Sequence, residues 1–401
     1  MEREILHVDV NNAFLSWLAV YKLKSGENLD IRTIPAIIGG DEKQRHGVVL
    51  AKSNLAKQFG IKTGEPLYSA RKKCPTIKIY ESNFKVYRQY SNKLYELLLN
   101  YSYKVERFSI DECFVDMTEF LNGRKLIDVA YEISKRVKNE LGFTVNIGVA
   151  HNKLLAKMAS DFQKPDRVHT LYEKEIPRKM WPLPISELFM VGKRTFPKLY
   201  NMNIKTIKDL ALADQTILEK KFGKFGKTMW EYANGIDNAE VVYTYQKPKC
   251  VGNSTTVSQD IKNIEKIEEV LLALTEHTTY RLRKLGLQCT VVSVQLRTSE
   301  FKNYSHQRKL DFATNSTKEI YKVAKQLVNQ LYNGEPIRLI GIRVDNLCDE
   351  EEKQISIFEN NDTKKQEKLD KVVDSIKDKY GYETITRAAD MKQSKNINRK
   401  D

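Results

Sequence analysis

Three carboxylates are the residues of this sequence whose types and spacing are best suited to chemistry. Asp111 and Glu112 are adjacent, and Asp9 closes a strand-like run near the amino terminus. Carboxylate oxygens are good ligands for Mg²⁺, which usually fills its other positions with waters and substrate phosphates. Two such ions about 3.5–4 Å apart stabilise the attacking and leaving oxygens of an in-line phosphoryl transfer. If the three acids meet, they therefore predict a magnesium site for phosphoryl transfer.

Two strands and a turn must position these acids. Residues 105–108 and 113–116 alternate in the manner of half-buried strands, so the adjacent acids lie at or beside a tight hairpin. The apolar residues of the run 5–10 share one face, and Asp9 lies on the other. The three carboxylates converge only if the two strands are neighbours. The alternative is that the acids at the hairpin are turn formers or solvated charges, because adjacent strand residues point to opposite faces.

The order of the predicted elements indicates the fold class. The opening strand is followed by a helical pattern over 84–101, the acidic hairpin, a second helical pattern over 126–141 and a strand over 143–150. This order is typical of a ferredoxin-like unit. A small basic α/β unit over 31–81 lies between the opening strand and the first of these helices. The predicted fold class is therefore α/β, and more narrowly α+β.

The net charge points to a polyanionic partner. The chain has 401 residues, and its 67 lysines and arginines outnumber 52 aspartates and glutamates, which gives a formal charge of +15. Because this surplus is spread along a chain long enough for several domains, nucleic acid is the expected partner. The five cysteines form no CxxC pair, so neither a zinc site nor a disulfide framework is indicated. No apolar run approaches the ~18 residues of a membrane span, so we expect a cytoplasmic protein with no membrane partner.

Glycine–lysine turns recur among the short helices predicted over 180–237. Gly192 precedes Lys193 in the first turn, and Gly223 and Gly226 lie in the second. Glycine beside lysine at a helix entry lets backbone N–H groups approach a phosphate closely. The alternative is a plain turn between helices. Two such turns close together favour binding of a nucleic-acid backbone without sequence preference.

A second α/β unit follows a basic linker that ends at Lys249. Its predicted elements are helices over 264–285 and 317–332 and strands over 290–297, 305–312 and 337–344. Arg297, Arg308 and Arg343 are predicted to face outward from the sheet. Such a sheet would be a surface for a nucleic-acid backbone.

The sequence beyond Asp345 turns acidic and polar and contains two apolar patterns. One is a short run that its setting is too polar to bury, which is typical of a docking peptide: Gln354, Ile355, Ser356, Ile357 and Phe358. The other fits one stripe of a helix: Leu369, Val372, Val373, Ile376 and Tyr380. That helix could equally pack back on the preceding unit.

The combined pattern resembles the Y-family, or translesion, DNA polymerases of the bacterial polymerase IV and polymerase V type. The resemblance covers residues 4–358. The motifs that carry it are the run 7–14, the acidic hairpin, the run 146–157 and Lys164-Pro165-Asp166. It implies a right-hand polymerase with a ferredoxin-like palm, small fingers, a helical thumb with a helix-hairpin-helix and an α/β little-finger domain. The implied boundaries are 1–12 and 82–170 for the palm, 13–81 for the fingers, 171–238 for the thumb, 239–248 for a linker, 249–347 for the little finger and 348–401 for a tail.

The resemblance also implies roles for single residues. Asp9, Asp111 and Glu112 are the catalytic acids and hold two magnesium ions, with the carbonyl of Val10 as an added ligand. Phe14 takes the place of the steric gate that excludes a ribose 2′-hydroxyl. The alternative for Phe14 is a core residue that holds a helix to the sheet.

Three residues are implied to meet the triphosphate. Lys157 faces it, and Asn54 and Lys57 stand where the family often has a tyrosine and an arginine. Lysine lacks the forked guanidinium of arginine, so its grip on phosphate is less directional. This departure bears on nucleotide affinity or selectivity and not on the reaction class.

The implied reaction is template-directed addition of deoxynucleotides to a primer 3′-hydroxyl, in translesion synthesis and DNA repair. The resemblance implies a bacterial, nucleoid-associated protein that is a monomer. Its implied partners are primer-template DNA, deoxynucleoside triphosphates and, through residues 354–358, a sliding clamp. Two alternatives remain. A nucleotide cyclase also uses a ferredoxin-like unit with acids and metals, but it needs no primer. A non-catalytic DNA-binding accessory protein held at the clamp would extend no primer.

Overall fold

A computed structural model describes residues 2–40, 47–349 and 361–385, apart from the side chains of residues 361–367 and 383. The described chain divides into two units, which meet in sequence between Thr244 and Tyr245. Within these described ranges, no helix combines the length and the apolar character needed to cross a membrane.

Unit 1 contains eight strands and eleven α-helices among its described residues. The strands are β1 (Ile5–Val10), β2 (Ala36–Gly39), β3 (Val49–Lys52), β4 (Lys78–Glu81), β5 (Val105–Arg107), β6 (Glu112–Asp116), β7 (Val145–Ala150) and β8 (Val168–Thr170). The helices are α1 (Ala13–Lys24), α2 (Asn54–Gln58), α3 (Leu67–Lys73), α4 (Phe84–Leu99), α5 (Leu126–Arg136), α6 (Lys153–Asp161), α7 (Ile176–Lys179), α8 (Phe196–Tyr200), α9 (Ile207–Ala211), α10 (Gln215–Phe222) and α11 (Lys224–Ala233).

The main sheet of unit 1 has the strand order β5-β6-β1-β7-β8. Strand β1 lies at its centre and is antiparallel to both β6 and β7. Its residues Leu6, Val8 and Val10 share an apolar cluster with residues of α1, α4 and α5, while α6 covers the other face. Every residue of β1 is buried, because helices cover both faces of the sheet. The prediction that the opening strand and the acidic hairpin are neighbours is confirmed.

A smaller sheet of unit 1 has the order β3-β2-β4. Within the predicted α/β unit, the apolar runs 36–38 and 48–50 predict strands at the positions of β2 and β3. The sequence did not predict β4, which is parallel to β2. Strand β4 has only four residues, none of them fully buried, and so shows little hydrophobic pattern. The predicted helix over 126–141 is present as α5 followed by a π-helical turn, Val137–Leu141, and it ends at Gly142, which has a positive φ of 84°.

Unit 2 is built on a four-stranded sheet with the order β11-β10-β12-β9, antiparallel throughout. Its described elements are β9 (Cys250–Ile261), β10 (Leu287–Thr298), β11 (Asn303–Thr314), β12 (Ile337–Asp349), α12 (Ile264–Lys284), α13 (Thr317–Leu331) and α14 (Asn361–Tyr380). Residues Val292, Val294 and Leu296 of β10 face α12 and α13 in one apolar cluster. The sequence missed β9, whose serines and threonines gave no strong apolar alternation.

Candidate active site

The register of the main sheet brings two of the three acids directly together. Asp9 in β1 is the pairing partner of Glu112 in β6. Asp111 is the last residue of the β5–β6 turn, and its carbonyl accepts a hydrogen bond of 3.1 Å from the N–H of Val10. The turn is closed by the N–H of Ser109, which donates to the carbonyl of Glu112 at 3.1 Å. Strand pairing therefore places all three acids at one end of β1 and β6.

Each carboxylate of the site now has its own polar partner. Asp9 accepts a short hydrogen bond from the Lys164 amine, and Glu112 Oε1 accepts one of 2.8 Å from Lys157 Nζ. Asp111 Oδ1 accepts one of 2.6 Å from the hydroxyl of Ser109. Within the described residues, no three His, Cys, Asp or Glu side chains are grouped closely enough to hold a metal ion as they stand. The three carboxylates would therefore have to move closer together to share an ion.

The electrostatics of the site follow from burial and from these amines. Burial raises the pKa of Asp9 to about 6, even though the nearby Lys164 amine acts to lower it. Burial alone would lower the pKa of Lys157 and Lys164, but hydrogen bonds and the charges of Glu112, Asp161 and Asp9 raise it above the usual value for both lysines. Both lysines therefore stay charged at neutral pH, and each provides a positive charge beside a carboxylate.

Lys164 is a functional candidate to which the sequence motif assigned no role. Its amine contacts Asp9 and lies 2.8 Å from Asp161 Oδ1. Its side chain is 39% exposed, whereas that of Lys157 is 11% exposed. The predicted triphosphate residue Lys157 is thus directed at Glu112 and Asp161, and Lys164 is the more accessible cation of the two.

His7 is a second residue to which the sequence assigned no role, although the alternation of β1 put it on the same face as Asp9. Its Nδ1 lies 2.8 Å from the hydroxyl of Ser160, and that hydroxyl donates to the carbonyl of Lys157. Its Nε2 makes no hydrogen bond within the described residues and lies 3.9 Å from Glu112 Oε2. Burial, followed by the charge of Lys157, lowers the pKa of His7 well below its usual value. A neutral imidazole therefore lies behind the Glu112 carboxylate.

Phe14 lies in the first turn of α1, five residues beyond Asp9. Its ring stacks on Tyr87 with centroids 4.6 Å apart and also meets Phe84 and Trp17. The side chain is half-buried against the core of unit 1. One side of the ring is thus fixed by packing, and this arrangement is compatible with both interpretations of Phe14.

Asn54 and Lys57 lie three residues apart on the exposed side of α2. Ser53 precedes the helix and caps it, because its hydroxyl accepts a hydrogen bond of 3.1 Å from the N–H of Ala56. Asn54 Oδ1 accepts a hydrogen bond of 3.2 Å from Asn12 Nδ2, and Asn12 precedes α1 with a positive φ of 48°. This bond joins the start of α2 to the turn between Asp9 and Phe14.

The three glycines predicted to lie near a phosphate have different surroundings. The N–H groups of Gly223 and Gly226 are bound within the chain, to the carbonyls of Glu219 at 2.8 Å and Gly223 at 2.9 Å. A Cβ on Gly226 would lie 2.2 Å from the carbonyl oxygen of Leu218, so glycine is required there for the packing of α10 against α11. Any contact of this turn with a phosphate must therefore use other backbone N–H groups than these two, and binding of a nucleic-acid backbone at Gly223 and Gly226 stays a prediction. Gly192, beside Lys193, is open, with no atom within 4 Å of a built Cβ.

The three arginines of unit 2 do not share one face. Arg297 and Arg343 lie on the face away from the helices, where Arg297 contacts Asn303 and Arg343 contacts Asp345. Arg308 pairs with Val292 and so lies on the helix-covered face, where it donates to Gln326 of α13 at 2.6 Å. The prediction that Arg308 faces outward was therefore wrong.

The open face of the unit 2 sheet forms a shallow depression with few charges. The lining consists mainly of small or uncharged polar residues: Gly252, Ser254, Ser293, Gln295, Ser305, Gln307 and Gly341. Small residues leave the strand backbones accessible from this side. The predicted docking peptide, residues 354–358, lies outside the described residues.

Comparisons with known proteins agree along most of the chain. The impB/mucB/samB family matches residues 8–161, its C-terminal domain matches 248–357, and the thumb domain of DNA polymerase-iota matches 187–237. DNA polymerase IV of Clostridium acetobutylicum is 51% identical over 388 residues, which are 97% of this chain and 98% of that protein. DNA polymerase IV of Acetivibrio thermocellus is 36% identical over 409 residues, which cover 100% of both chains.

A solved structure shows the same fold. The structure of a Y-family DNA polymerase chimera aligns with a TM-score of 0.75 at 23% sequence identity, covering 86% of this chain and 98% of the chimera. The right-hand polymerase architecture that the sequence predicted is thereby confirmed.

Proposed function

The chain belongs to the impB/mucB/samB family of Y-family DNA polymerases, and from that membership we propose how its acidic site works. The enzyme is a DNA-directed DNA polymerase of the translesion type. We infer that Asp9, Asp111 and Glu112 are its catalytic acids, and that the primer 3′-hydroxyl attacks the α-phosphorus of a deoxynucleoside triphosphate and releases pyrophosphate. The observation that carries this assignment is the pairing of Asp9 with Glu112 beside Asp111.

The chemistry of these residues fits divalent metal ions. Two carboxylates on paired strands lie beside amines, so their positions favour positive charge. We propose that Asp9, Asp111, Glu112 and the carbonyl of Val10 hold two Mg²⁺ ions, a metal that combines carboxylates with substrate phosphates. When bound, these ions lower the pKa of the primer hydroxyl and neutralise charge on the triphosphate.

The lysines of the site complete the positive charge around the triphosphate. Lys164 is exposed and protonated, so it is the residue best placed to turn from Asp9 to an incoming phosphate. Lys157 is more deeply buried and orients the Glu112 carboxylate. Asn54 and Lys57 on α2 contribute a weaker, less directional contact than an arginine would.

Phe14 is proposed as the residue that selects the sugar. Because its ring is held by Tyr87, it cannot yield to an extra 2′-hydroxyl without disturbing an aromatic cluster. Phe14→Ala is expected to raise ribonucleotide incorporation by about 10- to 100-fold, as relief of an overpacking cost of about 1–3 kcal/mol implies. Phe14→Tyr, which keeps the bulk, is the control. Unchanged sugar discrimination in a folded Phe14→Ala protein would return this residue to a purely structural role.

We propose that surfaces outside the acidic site bind the primer-template DNA. Gly192 and Lys193 are proposed to meet the backbone in the thumb, and Arg297 and Arg343 on the open face of unit 2. The proposed domains are palm (1–12 and 82–170), fingers (13–81), thumb (171–238), linker (239–248), little finger (249–347) and tail (348–401). The division of the chain between residues 244 and 245 falls inside that linker and supports the assignment.

The proposals for the sliding clamp, the cellular location and the oligomeric state rest on the sequence alone. We propose that residues 354–358 bind a sliding clamp, with Ile357 and Phe358 in its pocket and Gln354 at the rim. The enzyme is proposed to work as a cytoplasmic, nucleoid-associated monomer.

Primer dependence tests the proposed reaction. The protein is incubated with labelled deoxynucleoside triphosphate and Mg²⁺, with and without primed DNA. The expected result is template-ordered extension only when primed DNA is present. A cyclic nucleotide formed from the triphosphate without primer, with release of pyrophosphate, would favour a cyclase. Binding without extension on undamaged template would favour a non-catalytic accessory protein.

A further inference from the structure

Helix α14 packs against the other helices of unit 2 through an acidic stripe. Asp370, Asp374 and Asp378 recur every four residues, so they share one face of the helix. This face lies against the carboxyl-terminal half of α12 and the start of α13. The sequence left open whether this helix packs back on the preceding unit, and it does so with charged residues.

Arg283 of α12 is the centre of the contact. Its guanidinium binds Asp374 through two hydrogen bonds, of 2.6 Å from Nε and 2.9 Å from Nη2, and lies 3.6 Å from Asp370. The side chains of Arg283, Asp370 and Asp374 are only 9%, 5% and 16% exposed. The same guanidinium donates to the carbonyl of Asn315 at 2.8 Å. A forked, buried contact of this kind fixes the position and direction of its partner.

A second contact uses the start of α13. Asp370 Oδ2 accepts a hydrogen bond of 3.1 Å from the N–H of Thr317, the first residue of this 15-residue helix. The first N–H groups of a helix have no partner within it and favour a negative charge. Asp370 therefore satisfies a helix end and an arginine together.

The outermost acid adds a more exposed contact. Asp378 accepts a hydrogen bond of 3.1 Å from Lys284 and another from the Tyr280 hydroxyl. The Lys284 and Asp378 side chains are 63% and 51% exposed. Pairs in such settings contribute little to stability.

The apolar stripe of α14 provides only part of the contact that amphipathic packing would require. Leu369, Val372 and Tyr380 are 53%, 56% and 62% exposed, whereas Val373 and Ile376 are half-buried. An ordinary surface helix buries its apolar stripe and exposes its charges. In α14 the most buried described residues are instead Asp370 and Lys377.

We propose that the Arg283 end of α12 and the first turn of α13 form a docking surface for an acidic helix, that α14 is its occupant, and that α14 can leave while the sheet of unit 2 stays folded. Because both charges of a buried pair must lose their water, such a contact specifies geometry more than it adds stability. Carboxylates spaced one turn apart are the feature that this surface recognises.

Amide hydrogen exchange on the full chain tests the proposal. Asp374→Asn keeps the shape of the side chain but removes the charge that Arg283 binds. We expect exchange across residues 368–380 to accelerate at least about tenfold, because loss of one partner of a buried pair is strongly destabilising. Exchange in β10 and β12 is expected to stay unchanged.

Two matched variants provide the controls. Asp378→Asn removes the exposed pair, and Val372→Thr replaces an exposed apolar side chain by a polar one of the same shape. Both are expected to change exchange in α14 by less than about twofold. The proposal fails if Asp374→Asn leaves α14 unchanged, if it accelerates β10 and β12 equally, or if Val372→Thr loosens the helix as much as Asp374→Asn.

Discussion

The main sheet of unit 1 and the sheet of unit 2 hold their charged residues in different surroundings. In unit 1, Asp9 lies on a central strand that is covered on both faces, and its pKa is raised to about 6 by burial. In unit 2, Arg297 and Arg343 lie on a face that carries no helix among the described residues of that unit. There Arg297 donates a hydrogen bond to Asn303, and Arg343 donates one to Asp345.

This difference shows how one chain can keep the residues proposed for catalysis apart from those proposed to bind DNA. Charges interact strongly where water is excluded, so the covered sheet suits metal binding and phosphoryl transfer. On an open face, charge is screened and exchanges its counterions readily, which suits reversible contact with a DNA backbone. Changes in the two sheets should therefore affect different measurements.

The largest effect is expected from the acids of the covered sheet. Asp111→Ala or Glu112→Ala should lower the rate of primer extension by about 10³-fold or more, because loss of a metal ligand removes several kcal/mol of transition-state stabilisation. DNA affinity should change little. Glu119→Ala, which removes an exposed acid after β6, is the control. Full activity in either site variant would contradict the assignment.

A pair of glycines tests the difference in packing. A Cβ on Gly148 of β7 would lie 1.8 Å from the carbonyl oxygen of Ala156 in α6, whereas on Gly341 of β12 it would meet only the Ser254 side chain within 3.5 Å, at 3.1 Å. Gly148→Ala should destabilise unit 1 by about 3 kcal/mol or more, and Gly341→Ala should change the free energy of unfolding of unit 2 by about 1 kcal/mol or less. Denaturant unfolding measures both. Equal effects would mean that the two faces are equally covered.

Some of the features behind these predictions could be predicted from the sequence, and others could not. The acids, their hairpin and the alternation of β1 were readable, because a covered strand beside a tight turn has a strong pattern. The sequence did not show on which face of the sheet Arg308 lies. Strand β11 carries polar residues on both faces, and a shift of one residue in its register moves every side chain to the opposite face. Lys164 and His7 acquired their roles only through contacts across more than 100 residues of sequence, with Asp9 and Glu112 respectively.

The pH dependence of metal binding tests burial of the acid directly. In the metal-free protein burial raises the pKa of Asp9 from 3.8 to about 6, so folding favours the protonated acid. The contribution of Asp9 to the free energy of unfolding is therefore fully present below pH 3.8 and is lost as the pH rises through about 6. A proton then competes with Mg²⁺, and the apparent affinity at pH 5 should be about tenfold weaker than at pH 7. Calorimetric titration at both pH values checks this. Equal affinities would show that Asp9 is ionised throughout that range or is not a ligand.

The smallest effect is expected on the open face of unit 2. Arg297→Ala with Arg343→Ala should weaken DNA binding severalfold for any sequence and reduce the slope of log affinity against log salt by about 1 for each phosphate that the variant no longer binds. Arg308→Ala, on the helix-covered face, is the matched control and should have less effect. If Arg308→Ala weakens binding as much as the double variant, the open face is not the contact surface.

The most direct test of the acidic site is to locate its metal. Crystals of the enzyme with primer-template DNA, a deoxynucleoside triphosphate and Mn²⁺ in place of Mg²⁺ would reveal the ions by anomalous scattering. The predicted result is two peaks within about 2.0–2.6 Å of carboxylate oxygens of Asp9, Asp111 and Glu112, with Lys164 turned from Asp9 to the triphosphate. Peaks bound to other residues, or Asp9 still paired with Lys164 in the complete complex, would contradict it.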